Sequence, residues 1–397
     1  MRLGGTSDLG HLTYCTTIHA ADDWAGVLSG LERHLPEIKA AFSPDRPMGV
    51  GLRLSASAAR SLEDPAAFAE LSGLLDGGGY YVFTINGFPY GAFHGQRVKE
   101  EAYRPDWSDP ARLAYSNALA GLLARLLPEG MDGSVSTVPG TFKPWAGGAV
   151  EAIADNLIRH AAHLVGLERT TGRTVVLALE PEPCCLIETI AEAVAFFEAH
   201  LFGNRAAARL ADLAGLSAGA AADALRRHLG VCYDVCHAAV EFEDARESVA
   251  SLGRAGIAIA KLQLSCALKV PRVGPATVGH LRPFDEPVYL HQVVERGGRG
   301  LVRYVDLSEA FDHADEASGA EWRIHFHVPI FLAELTNFST TQDFLREILA
   351  LHRENPISGQ LEVETYTWDV LPERYRNVGV SAAIARELAW ARDRLVS

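Results

Sequence analysis

Six cysteines in 397 residues, none of them spaced as a CxxC pair, leave little material for a disulfide framework or a thiolate metal site. Cys15, Cys232 and Cys236 lie in or beside apolar runs where free thiols commonly pack, so reduced structural cysteine is expected. No run approaches the roughly 20 apolar residues that a membrane span needs. The opening Met1–Ser7 lacks the basic and apolar arrangement of a secretion signal, which makes the cytoplasm the expected location, without membrane insertion. Positive charge is also scarce: 36 Lys and Arg stand against 50 Asp and Glu, for a formal charge of -14. Such a balance disfavours broad affinity for phosphate backbones and makes nucleic acid an unexpected partner, although a local basic pocket stays open. What is present is apolar material, 48% of the chain, enough to bury a large core in one large α/β domain or two smaller ones.

Strand-like apolar runs fall at 12–18, 48–54, 80–86, 133–138, 174–180, 231–235, 258–264 and 359–365. Between them lie amphipathic, alanine- and leucine-rich stretches at 22–41, 57–76, 108–127, 148–168, 188–201, 242–254 and 340–353. Helix-start signals precede several, such as Asp22 before Trp24, Ser108-Asp109-Pro110 and Ser339-Thr340-Thr341-Gln342. Alternating strand and helix implies a parallel sheet, and eight such units point to a closed (β/α)8 barrel built as a single domain over residues 1–397. Two segments exceed a simple barrel. Residues 203–229 form an alanine-rich helical excursion, and residues 267–321 form a long insertion before the His325/His327 run. Within that insertion Leu301–Asp306 reads as a strand able to pair with 322–328 as a hairpin, and Arg282–His291 reads as an ordered lid. A surface elaboration or an oligomer contact is the plainer alternative.

The chemistry-bearing residues fall at strand ends. In an extended chain residues i and i+2 share a face, so Trp322–Pro329 aims His325 and His327 to one side, and Gln360–Thr365 does the same for Glu362 and Glu364. Thr174–Pro183 is a buried strand that stops on Glu180 and is blocked by prolines on both sides of Glu182. Val231–His237 ends in Asp234, with His237 three residues on. Barrels carry their sites at the C-terminal strand ends, and carboxylates crowded there without a cation repel each other strongly. Glu180, Asp234, His237, His325, His327 and Glu364 are therefore the expected ligands of a divalent metal ion, with zinc or manganese favoured, iron open and magnesium less suited. His19, Asn86, His94, Lys143 and Gln263 reach the same rim and are expected to contact substrate. Arg323, on the His325 face, would supply charge for a phosphate or carboxylate. Taken singly, a histidine or glutamate such as His237 or Glu182 is as often a hydrogen-bonded structural group. Glu362, one step deeper than Glu364, suits a supporting partner.

Glu at the fifth strand, Asp-x-x-His at the sixth, His-x-His beyond the seventh and Glu at the eighth resemble the xylose isomerase-like barrel superfamily, which includes sugar phosphate isomerases, epimerases and endonuclease-IV type enzymes. Over nearly its full length the chain resembles the metabolite traffic protein EboE family. Leu12–His19, Phe83–Gly91 with Phe93-His94-Gly95, Arg104–Trp107, Leu127–Gly130 and Phe142–Trp145 carry that likeness. The resemblance implies a (β/α)8 barrel, a metal site and a role with a small metabolite of a secondary pathway, with other proteins of that pathway as expected partners and no reaction settled. One departure is Gln263, where the superfamily often has a histidine ligand. An amide is a weaker ligand than imidazole.

Taken as an enzyme, the chain is expected to move a proton next to a carbonyl held by the ion, with Glu180 and Glu364 as base and acid. Metal-dependent phosphodiester hydrolysis of the endonuclease-IV type is a second class, and a non-catalytic metabolite binder or scaffold is a third.

Overall fold

Alternation of apolar runs with capped amphipathic segments produces the architecture expected of it. The computed structural model describes residues 1–4, 8–376 and 378–396, so the Met1–Ser7 opening falls partly outside the described residues. Eight parallel strands form the barrel: His11–Tyr14, Met48–Arg53, Tyr80–Asn86, Gly133–Thr137, Val175–Leu179, Leu229–Asp234, Ala258–Leu264 and Gln360–Val363. The second to the eighth each pair with their neighbour in sequence order, the eighth pairs with the first, and a single Cys15–Gly51 bridge joins the first to the second and closes the ring. The fold is a (β/α)8 barrel.

Helix boundaries follow local chemistry. Asp23, rather than Asp22, caps Trp24–Phe42 by accepting from the Gly26 N–H at 2.8 Å, while Asp22 pairs with Arg53. The single helix expected over 57–76 is two, Ala56–Ser61 and Pro65–Gly78, because Pro65 lacks the N–H a continuous helix needs and Asp64 caps a new start. The excursion after the fifth barrel strand contains a helical hairpin, Asn204–Ala214 and Ala218–His228. A last helix, Val380–Val396, packs beside Trp24–Phe42 and has no counterpart among the expected segments.

The insertion does not form the expected hairpin. A six-stranded sheet, antiparallel throughout, runs Gly300–Tyr304, Val293–Gly297, Glu321–His327, Ala267–Val270, Phe338–Thr340 and Glu334–Leu335 in spatial order. Val293–Gly297 thus lies between the two segments expected to pair. The reason is local: Gly297-Gly298-Arg299-Gly300, with Gly300 at φ 83°, turns the chain tightly enough for Gly300–Tyr304 to fold back on its immediate predecessor. The third strand of this sheet carries His325 and His327. One hydrophobic cluster runs from the barrel staves into this second sheet through Leu268, Trp322, Ile324 and Phe326.

Candidate metal centre

Glu180 and Glu364 each lie one residue beyond a barrel strand, with their amides still bonded to the neighbouring strand: Glu180 N–H to Thr137 O at 3.1 Å and Glu364 N–H to Leu264 O at 3.1 Å. Their side chains therefore start from fixed points. Asp234 ends the sixth strand and caps the short helix Val235–Val240, so its Oδ1 accepts from the His237 N–H at 3.1 Å and the Ser265 hydroxyl at 2.7 Å. That spends one oxygen and leaves Oδ2 buried without a hydrogen-bond partner. The same helical turn swings His237 back beside its cap.

All six residues expected as ligands come together. Ligand atoms of Glu180, Asp234 and Glu364 lie within 4.8 Å of one another, as do those of Asp234, His237 and His327, and those of His237, His325 and Glu182. All of these side chains are buried. Asn86 and Gln263 donate to the Glu364 carboxylate, at 2.9 Å to Oε1 and 2.8 Å to Oε2, fixing its orientation. Burial, the nearby carboxylates and too little compensating charge push the carboxyls of Glu180 and Glu364 well above the usual range.

The imidazoles are held in defined tautomers. His237 Nδ1 lies 2.9 Å from Pro181 O, and His327 Nδ1 lies 2.9 Å from Glu364 O; a backbone carbonyl only accepts, so both Nδ1 atoms carry hydrogen. His325 Nδ1 lies 2.8 Å from Gln292 Oε1, and that amide is oriented by Nε2 donating to Pro183 O at 3.2 Å and to the Tyr103 hydroxyl at 2.8 Å. Every Nε2 in the neutral rings therefore presents a lone pair. His237 and His325 bring theirs to 3.0 Å of each other, and His327 Nε2 is buried with no partner. Facing lone pairs repel unless a cation lies between them. A proton suits poorly, since burial and the neighbouring histidines push the pKa of His325 well below its ordinary value. Orphaned Glu180 Oε2, Asp234 Oδ2 and His327 Nε2, with the facing imidazoles, fit a divalent ion with mixed nitrogen and oxygen ligands.

The expected substrate contacts divide. Asn86, Glu180, Glu364, His237 and His325 line a cavity at the barrel mouth with an empty volume of about 540 Å³, adjoining solvent included. Gln263 lies under it as a support for Glu364. His94 sits behind the wall, with Nε2 2.6 Å from Thr17 O and Nδ1 2.7 Å from the Tyr289 hydroxyl. His19 bonds the Tyr14 hydroxyl at 3.1 Å and stacks on His34, outside the lining. Lys143 is also outside, paired with Glu188 at 2.6 Å and Glu192 at 3.0 Å, because its 3-10 turn faces the start of the helix that Glu192 caps. Arg323, on the His325 face but one strand step farther back, donates to Ala239 O at 2.6 Å and Glu321 at 2.8 Å and lies over Phe242. Glu182, Tyr103, Gln292, Tyr289 and Tyr366 complete the site and were not among the expected site residues; the two prolines around Glu182 and the expected lid segment Arg282–His291, which holds Tyr289, were the signals.

No family model matches the chain, and no curated protein matches it. Solved structures that align with it include a probable 3-DHS dehydratase, AsbF, involved in petrobactin synthesis in Bacillus anthracis, at 13% identity over 96% of this chain and 97% of that one, TM-score 0.44. The IOLI protein with a bound zinc atom aligns at 13% identity over 97% and 98%, TM-score 0.46. A xylose isomerase-like TIM barrel protein from Mycobacterium smegmatis, in complex with magnesium, aligns at 12% identity over 97% and 96%, TM-score 0.48.

Proposed function

We propose that this chain is a metal-dependent enzyme that moves a proton beside the carbonyl of a small polar metabolite. The observation that carries the reading is the pair of imidazole lone pairs held 3.0 Å apart over three buried carboxylates. Glu180, Asp234, Glu364, His237, His325 and His327 would hold a divalent ion, zinc or manganese best matching the donor set, with iron open and magnesium less suited. Bound there, the ion supplies Lewis-acid polarisation of a carbonyl and stabilises the negative charge that develops on its oxygen. Glu180 and Glu364 both line the cavity with carboxylate oxygens within 4.8 Å of each other, which suits them to pick up and return a proton on a substrate held there. Asn86 and Gln263 keep Glu364 aimed, and Gln292 does so for His325.

The role in a secondary-metabolite pathway, with partner proteins of that pathway, rests on the EboE-like phrases alone. Six unpaired, buried cysteines support a cytoplasmic setting. The decisive assay incubates the metal-supplemented protein with small hydroxyketones and ketoses in D2O and reads deuterium at the carbon beside the carbonyl by mass spectrometry. Exchange abolished by Glu180→Gln or Glu364→Gln is expected. Metal-dependent nicking of abasic DNA without any such exchange would replace this reading with phosphodiester hydrolysis. Ligand binding without either reaction would leave a binder.

A further inference from the structure

We propose that the cavity selects an uncharged, ring-bearing hydroxycarbonyl compound and rejects phosphorylated ones; this rests on the proton-transfer reading of the same site. The first observation is the lack of an anion handle. Among the described residues lining the cavity, Lys99 is the one lysine or arginine, and its ammonium is already committed, 2.6 Å from Asp306 and 3.2 Å from Glu286 O. Of the guanidiniums behind the wall, Arg53 donates to Ala21 O and Asp22 and Arg112 to the Gly87 and Phe88 carbonyls, and Lys143 and Arg323 are engaged elsewhere. Three carboxyls, those of Glu180, Glu182 and Glu364, line the same cavity. A phosphate ester brought into this space finds acidic groups and no free cationic side chain to pair with.

The second observation is the wall. Phe93, Tyr289 and Tyr366 come from three separate segments and meet with ring centroids 4.8, 5.2 and 5.5 Å apart. Tyr289 is held from behind by His94, so the cluster is a fixed surface. Phe88 and Tyr103 form an opposing aromatic pair, with centroids 5.8 Å apart. Aromatic faces of this kind bury the C–H face of a sugar ring, a cyclic polyol or an alicyclic ketone, and a few polar groups on the floor set its orientation. The combination of polar floor, aromatic sides and no free cation matches a neutral ring with vicinal oxygens.

Calorimetric binding on the full chain, with manganese present, tests this with four probes: 2-hydroxycyclohexanone, hydroxyacetone, D-fructose and D-fructose 6-phosphate. The ring ketone is expected to bind more tightly than hydroxyacetone, and the phosphate ester about tenfold more weakly than the free sugar. Phe93→Ala is expected to erase the ring preference while manganese binding, titrated in the same samples, is unchanged. Equal or tighter binding of the phosphate ester, no advantage for the ring, or no binding of any ring probe overturns the proposal. Failure of manganese itself to bind, with the ring-over-phosphate order intact, would instead sink the metal reading and leave this one standing.

Discussion

Two acid-bearing layers lie in succession along the barrel, and they solve the same electrostatic problem differently. In the lower layer Glu362, completely buried, is paired with the equally buried Lys261, whose ammonium also lies 3.2 Å from Ser136 Oγ. Gly51 opposite has no room for a side chain, since a Cβ there would lie 1.8 Å from Glu362 Oε1 and 2.8 Å from Tyr14 O. In the upper layer Glu180, Asp234 and Glu364 converge at similar burial with no lysine or arginine among them. Burial of a carboxylate is tolerated when a cation is built in, and the upper layer has none built in, which is what the divalent ion proposed there would supply. The difference separates a pair that neutralises itself from a cluster that does not.

Breaking the lower layer should have the largest effect. Lys261→Met strands a fully buried carboxylate and is expected to cost about 3–5 kcal/mol in denaturant unfolding, whereas Lys261→Met with Glu362→Leu should recover most of it. If the single and double variants were equally unstable, the pair would not be the neutralising device described.

A third buried acid sharpens the contrast, because it has hydrogen bonds and no cation. Glu387 accepts from the Ile330 N–H at 3.0 Å and the Thr365 hydroxyl at 2.8 Å, and burial pushes its carboxyl up to about 7. A carboxyl raised in the folded state stabilises the fold fully below its unfolded pKa, and that contribution is lost as pH climbs through the folded value. Glu387→Gln should therefore be the more stable form above pH ~7, by about 3 kcal/mol, and the gap should close below pH ~4.5. A pH-independent gap between the two unfolding curves would contradict this.

A smaller effect is expected in the shell that orients the imidazoles. Gln292→Leu frees the His325 ring from its fixed tautomer and is expected to weaken divalent-ion binding roughly 10–100-fold without unfolding the protein, read by competition with a chromophoric chelator. Unchanged affinity would mean that His325 takes no part in holding the ion.

Much of the barrel was legible in the sequence, since fully buried parallel strands are continuous apolar runs and seven of the eight ended within two residues of their expected limits at both ends; the first stopped four residues early. The convergence of the candidate ligands was legible too, because one rule, chemistry at C-terminal strand ends, applied to Glu180, Asp234 and Glu364 alike. The second sheet was not: its strands are two to seven residues long, and nothing in Val293–Gly297 marks it as the partner of both the strand that follows it and the more distant Glu321–His327. Lys261 was equally hidden. Its alternation with Gln263 put it on the interior face, yet the register sets Glu362 beside Gln263, and only the folded side chains show that Lys261 is its counter-ion. Lys143 and Arg323 were sensible choices by position, and local acids and carbonyls claim them because each was nearer to those than to the cavity.

The upper layer itself gives the most direct test. Elemental analysis and calorimetric titration of the purified protein are expected to show a tightly held divalent ion in stoichiometric amount, lost in Asp234→Asn and Glu364→Gln, which keep the shape but remove the charge. A protein that stays folded and active while binding no divalent ion, or that binds it equally well in both variants, would contradict the account.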